Sequence, residues 1–93
     1  YEGVTLHGTW ELYYAMWLDE NNITWTRCRE TFNYTYKGQT RRYLPDFYLD
    51  DIGSYIEIKG YKTEKDDAKW SQFPEDKELI VLMEEDLKEL GVL

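Results

Sequence analysis

The chain has 93 residues, a net charge of −8 and a mean hydropathy of −0.74, the measures of one small domain. A single cysteine excludes an internal disulfide, and one histidine beside it excludes a zinc ligand set. No run is long and apolar enough to span a membrane, and no signal peptide is visible.

Residues 1–8 carry little signal, although Thr5 or Thr9 would serve as a helix cap. Residues 10–18 are nearly all apolar, which predicts a helix buried over much of its circumference and ended by Asp19-Glu20-Asn21-Asn22. Glu11 is the only charge in that run. At helical spacing it extends the stripe of Tyr14, Ala15 and Leu18, so it points inward and needs a partner. The alternative is a first-turn acid favoured by the helix dipole. His7 shares the face of Glu11 if the helix begins early, as a proton-transfer group or simply as an exposed terminal residue. Residues 23–27 and 32–36 alternate as strands, the second placing Phe32, Tyr34 and Tyr36 on one face. Cys28 reads as a small buried residue. Lys37-Gly38 is a turn, from which residues 39–44 return as a strand leading into Pro45-Asp46. Pro45 cannot donate to a ladder and starts a strand or marks a break.

Residues 43–61 form two alternating runs around a polar, glycine-containing turn, the pattern of a β-hairpin. With the loop centred between Asp51 and Ile52, Leu49 faces Ser54, Tyr48 faces Tyr55, Phe47 faces Ile56 and Asp46 faces Glu57. Phe47, Leu49, Ile56 and Ile58 then point to a core, and Asp46, Glu57 and Lys59 share the other face. Cβ atoms of a directly opposed pair stand only about 4.5–5.5 Å apart, and two carboxylates that close require a cation. A hard divalent ion held by two carboxylates meets that need, and a lysine on the same face would hold a phosphate or polarise a water.

Thr63 with Asp66 predicts a capped helix over residues 64–73, burying Ala68, Trp70 or Phe73 and stopped by Pro74. Residues 79–83 are continuously apolar, the pattern of a strand buried on both faces. Glu84-Glu85-Asp86 then open a short helix with Leu87 and Leu90 inward, ended at Gly91.

Pro45-Asp46 followed by Glu57-Ile58-Lys59 resembles the motif of the PD-(D/E)XK nuclease superfamily, with Thr9-Trp10-Glu11 similar to its first-helix acid. Spacing, aromatic-rich strands and the helix carrying Lys69 and Trp70 most resemble the Vsr-like catalytic domain of phage homing endonucleases. The likeness covers roughly Thr9 to Leu90. Vsr-type sites usually employ histidines, however, and this chain has only His7, so the core motif matches the wider superfamily.

The resemblance implies an α/β, three-layer-like restriction-endonuclease fold with a mixed central β-sheet flanked by helices. The other candidate is a two-layer α+β domain with a purely antiparallel sheet. It implies a single nuclease domain over residues 1–93, and a start at Tyr1 rather than Met reads as a piece of a longer protein. The implied activity is hydrolysis of DNA phosphodiester bonds with Mg²⁺, for which Mn²⁺ substitutes, in a host-cell cytoplasm. Asp46, Glu57 and the Ile58 carbonyl would hold the metal. Glu11 would hold a water or a second metal, and Lys59 would act on the attacking water or the phosphate. Arg41, Arg42, Lys62 and Lys69 are candidate DNA contacts, with ordinary surface charge as the alternative. A mismatch-repair nickase or junction-resolving nuclease shares this chemistry. A non-catalytic module with an Asp46–Glu57–Lys59 cross-strand salt bridge does not.

Charge complicates a double-stranded DNA partner. Residues 1–62 carry nine acids against seven bases, and residues 63–93 carry ten against four. Arg27, Arg29, Lys37, Arg41, Arg42, Lys59 and Lys62 would form a local basic stripe, but tight binding calls for a basic segment outside this chain. A dimer is compatible with the pattern, and nothing in the sequence selects the oligomeric state.

Overall fold

The computed structural model describes residues 8–93, so the Thr5 cap and the role of His7 lie outside the described residues. In chain order the elements are α1 (Thr9–Glu20), β1 (Trp25–Arg27), β2 (Phe32–Tyr36), β3 (Gln39–Tyr43), β4 (Phe47–Leu49), β5 (Ser54–Ile58), α2 (Glu64–Ser71), β6 (Glu78–Leu82) and α3 (Glu84–Leu90). The architecture is α/β. A four-stranded sheet in the order β1-β4-β5-β6 pairs antiparallel except for β5 with β6, which run parallel through the α2 crossover. The parallel pair excludes a purely antiparallel sheet.

The helix α1 forms where Gly and Pro are absent from all 12 of its residues, and it buries Glu11, Tyr14, Ala15 and Leu18, the stripe expected from its spacing. Its N-cap is Gly8 with no side-chain cap, so Thr9 is the first helical residue and not the cap. At its other end the Asn21 side chain donates to the Trp17 carbonyl at 2.8 Å. The apolar stripe packs on Phe47, Leu49 and Ile56 of the hairpin and on Leu82 and Leu87. Phe47 meets Tyr14 and Trp25 edge-on at centroid distances of 5.4 and 5.2 Å. Full burial of such a side chain stabilises by roughly 1.5–3 kcal/mol.

The β4–β5 register is the expected one, Phe47 with Ile56, Tyr48 with Tyr55 and Leu49 with Ser54. Four expectations are corrected. Residues 39–44 do not continue into the hairpin's sheet. Leu44, Pro45 and Asp46 break the strand, and β2 with β3 forms a separate two-stranded sheet turned by Lys37 and Gly38, both at positive φ. That ribbon covers the second face of the main sheet, where Phe32 stands edge-on to Tyr55 at 5.2 Å beside Cys28, Tyr48, Phe73 and Leu79. The first strand begins at Trp25, not Ile23. The strand β6 is not buried on both faces: it lies at the sheet edge with Ile80 exposed, and among the described residues no strand pairs beyond it. Leu90 is exposed as well, since α3 is too short to turn two leucines inward and Leu87 takes the core position.

The helix α2 ends at Ser71, two residues before the expected stop, with Ala68, Trp70 and Phe73 half-buried. The Thr63–Asp66 capping box is present, but Asp66 is the most buried residue of the helix, at 1% exposure.

Candidate active site

Asp46 lies just before β4 and Glu57 on β5, where the strand alternation turns both away from the α1 face. The Asp46 backbone N–H donates to the Ile56 carbonyl at 2.9 Å, just outside the paired register, which ends at Phe47 and Ile56, so the expected Asp46–Glu57 ladder pair is not formed although Asp46 stays beside β5. Asp46 Oδ2 accepts the Ile58 N–H at 2.7 Å. Glu57, 7% exposed, accepts the buried Tyr43 hydroxyl on Oε1 at 2.9 Å.

Burial lifts both carboxyls toward neutrality, Asp46 to about 6 and Glu57 to about 7. Glu11 raises Asp46 further, and the charge of Asp46 raises Glu57. The Ile58 N–H, Arg27 and Lys59 work against this at Asp46, as Tyr43, Lys59 and Lys69 do at Glu57. The Tyr43 hydroxyl is itself held far above its ordinary range, by burial first and then by the charge of Glu57. It therefore stays protonated and donates.

The inward Glu11 finds its partner in Arg27, whose Nη1 stands 2.7 Å from Glu11 Oε1, 2.8 Å from the Asp46 carbonyl and 3.8 Å from Asp46 Oδ1. The helix acid and the hairpin acid are thus joined by one guanidinium. A cleft of about 350 Å³ opens beside them, lined by Gly8, Thr9, Trp10, Glu11, Ile58 and Gly60.

Lys59 follows Glu57 by two residues, just past the end of β5, but its ammonium does not bridge the two carboxylates. It lies 3.3 Å from Asp66 Oδ1. Lys69 stands 3.7 Å from the same oxygen and 5.5 Å from the centre of the Tyr43 ring. Of the candidate DNA contacts, Lys69 alone joins this group. Lys62 pairs with Asp67 at 2.9 Å, Arg41 bonds Gln39 at 2.9 Å, and Arg42 is exposed on β3.

Arg27, Tyr43 and Asp66 are parts of the site that sequence reasoning assigned other places. Arg27 counted only as surface charge, Tyr43 as a strand residue and Asp66 as a helix cap. Each reaches the carboxylates across 14 to 19 residues of chain or through Lys59. The one local signal was the position of Arg27 at the end of an alternating strand, and it acquires meaning only once β1 is paired with β4.

No family model, characterised protein or solved structure matches the chain.

Proposed function

We propose that the chain is a metal-dependent endonuclease domain of the PD-(D/E)XK type that hydrolyses phosphodiester bonds of double-stranded DNA, resembling the Vsr-like domain of phage homing endonucleases. The mixed sheet with α1 on one face and a helical crossover joining its parallel strands is compatible with the restriction-endonuclease plan. The observation that carries the reading is the Asp46–Glu57 pair, two largely buried carboxyls held on the polar side of the hairpin by the Ile58 N–H and the Tyr43 hydroxyl, each lifted toward neutral pH and followed by Lys59.

The donor set fits a hard divalent ion. Among the described residues no three His, Cys, Asp or Glu side chains group closely enough to enclose a metal. Asp46, Glu57 and the Ile58 carbonyl offer oxygen ligands only, which suits Mg²⁺ or Mn²⁺ completing its shell with water and substrate phosphate. Such an ion would supply a more acidic water and offset the charge of the scissile phosphate.

The chain's own groups do the rest. Glu11, fixed by Arg27, accepts a hydrogen bond from the attacking water at the cleft. Lys59 faces the negative charge that grows on the phosphoryl oxygens as the new P–O bond forms and the old one breaks. Tyr43 holds Glu57 in one orientation. A non-catalytic module built on an Asp46–Glu57–Lys59 salt bridge has less support, because the Lys59 ammonium pairs with Asp66 instead.

The test uses Asp46→Asn and Glu57→Gln, which keep acceptors for the Ile58 N–H and the Tyr43 hydroxyl. Both should fold, lose calorimetric Mg²⁺ binding and lose cleavage of supercoiled plasmid. Relaxed against linear product separates a nickase from a double-strand endonuclease. Wild-type cleavage by either folded variant would sink the assignment.

A further inference from the structure

Asp66 is an acid that a helix cap alone does not explain. Its Oδ2 accepts both the N–H and the hydroxyl of Thr63, at 2.9 Å each, which completes the capping box. Its Oδ1 is left over from the cap and receives two ammonium groups, Lys59 from just past β5 at 3.3 Å and Lys69 from α2 at 3.7 Å. Asp66 is almost fully buried, while the two lysine side chains keep 30% and 21% of their surface. Two like charges converging on one buried oxygen repel each other, and lysine loses considerable rotamer freedom when held. A helix that needed only a cap would place the charged oxygen in water. Burial alone would raise Asp66, yet the Thr63 hydrogen bonds and Lys59 hold it below its ordinary range, so the charge that gathers the lysines persists.

The arrangement also has a direction. Lys69 lies over the ring of Tyr43, whose hydroxyl is bonded to Glu57, and Lys59 is two residues beyond Glu57, immediately after the end of β5. The Asp66 pair of cations therefore stands at the Glu57 end of the carboxylate site, and Arg27 stands at its Glu11 and Asp46 end.

We propose that Asp66 is a positioning residue that holds Lys59 and Lys69 as a paired-ammonium seat for one phosphate of the substrate. The proposal rests on the nuclease reading for the identity of that phosphate. The seat itself is independent of the reading, because Asp66, Lys59 and Lys69 are joined whatever the site turns over. A phosphate entering between the lysines takes hydrogen bonds from both ammonium groups on their substrate-facing side, while Asp66 keeps them from swinging into solvent.

The experiment compares Asp66→Asn with Thr63→Ala in the 93-residue chain. Asparagine keeps the volume and an acceptor for Thr63 and removes the charge. Thr63→Ala removes the hydroxyl of the cap and leaves the Asp66 charge in place. The first readout needs no activity: ¹⁵N relaxation of the lysine Nζ signals. Asp66→Asn should release Lys59 and Lys69 to the mobility of the exposed Lys37, whereas Thr63→Ala should lower the melting temperature and leave both lysines restrained. The second is single-turnover cleavage of duplex DNA at saturating substrate. Asp66→Asn should lose about 100-fold, the scale on which an ångström of misplacement acts, and Thr63→Ala should stay near wild type well below its melting point.

Lysine signals unchanged in Asp66→Asn would overturn the proposal, as would freed lysines with an unchanged single-turnover rate. If wild type cleaves no DNA with Mg²⁺ or Mn²⁺, the nuclease reading falls, and the lysine relaxation together with inorganic-phosphate titration still decides the seat. Should Asp66→Asn not fold, Lys69→Gln carries the test: on a half-buried helix face it should weaken phosphate binding and slow single turnover about tenfold through one lost charge-assisted hydrogen bond, and wild-type values for both would overturn the pairing.

Discussion

Asp46 and Glu57 reverse the usual relation between carboxyl groups and pH. Their ordinary values of 3.8 and 4.5 become about 6 and about 7 in the fold. A group raised on folding contributes stability that is complete below its unfolded value and is lost as pH rises through the folded value. As pH rises from about 4 through about 6 for Asp46, and from about 4.5 through about 7 for Glu57, each carboxyl therefore withdraws stability, on the order of 3 kcal/mol at most. Asp46→Asn cannot ionise and still accepts the Ile58 N–H. In EDTA it should melt with wild type at about pH 3.5, below the unfolded value, and several degrees higher at pH 8, since roughly 4–8 °C corresponds to 1 kcal/mol in a domain of this size. Thermal melts at the two pH values read the difference, and a variant that melts lower than wild type at pH 8 would make the Asp46 charge a structural asset. The inward aim of Glu11 was legible because one charge interrupted an apolar stripe. Its partner was not, because Arg27 arrives through the β1–β4 pairing and no local pattern encodes that contact.

Among the elements, the β4–β5 hairpin was legible to the residue, because strict alternation on both arms tolerates only one register with Phe47 and Ile56 inside. The sheet edge was not. Residues 79–83 are as apolar as a central strand, and only the strand order reveals that β6 has a neighbour on one side. The separate ribbon escaped for a related reason: residues 39–44 and the hairpin read as one continuous path until the break at Leu44, Pro45 and Asp46. That ribbon depends on its turn, where Lys37 and Gly38 have φ of 51° and 75°. Gly38→Val places a β-branched side chain in the left-handed region and should cost about 1–2 kcal/mol. Chemical denaturation should show it as a lower midpoint. Because β3 carries Tyr43 to Glu57, the same variant should loosen the Tyr43–Glu57 bond, visible as faster exchange of the hydroxyl proton. An unchanged midpoint would mean that the ribbon adds little to the fold.

Over the whole molecule, charge and site are segregated. Residues 63–93 carry a balance of −6, and Glu75, Asp76, Glu78, Glu84 and Glu85 are all exposed, whereas Arg27, Lys59 and Lys69 are drawn into the carboxylate group. The cations left for distant phosphates are outnumbered by acids, in keeping with the net charge of −8. The 93 residues alone should bind duplex DNA no tighter than about 10⁻⁴–10⁻⁶ M, with a shallow dependence on salt, because each phosphate contact contributes about 0.9 to the slope. Fluorescence anisotropy across a salt series measures both, and nanomolar sequence-specific binding by this chain would contradict the expectation. The hairpin register has a further consequence for how such a chain can vary. Side chains along β4 and β5 obey a parity, odd steps to one face and even steps to the other. A single-residue insertion or deletion within the strands themselves would exchange the two faces beyond that point, sending Glu57 under α1 and Ile56 into the polar centre. A change of two residues restores the parity and keeps both faces in their places. Chemistry and core are interleaved on the same few residues, so lengthening this strand in homologues should proceed by pairs.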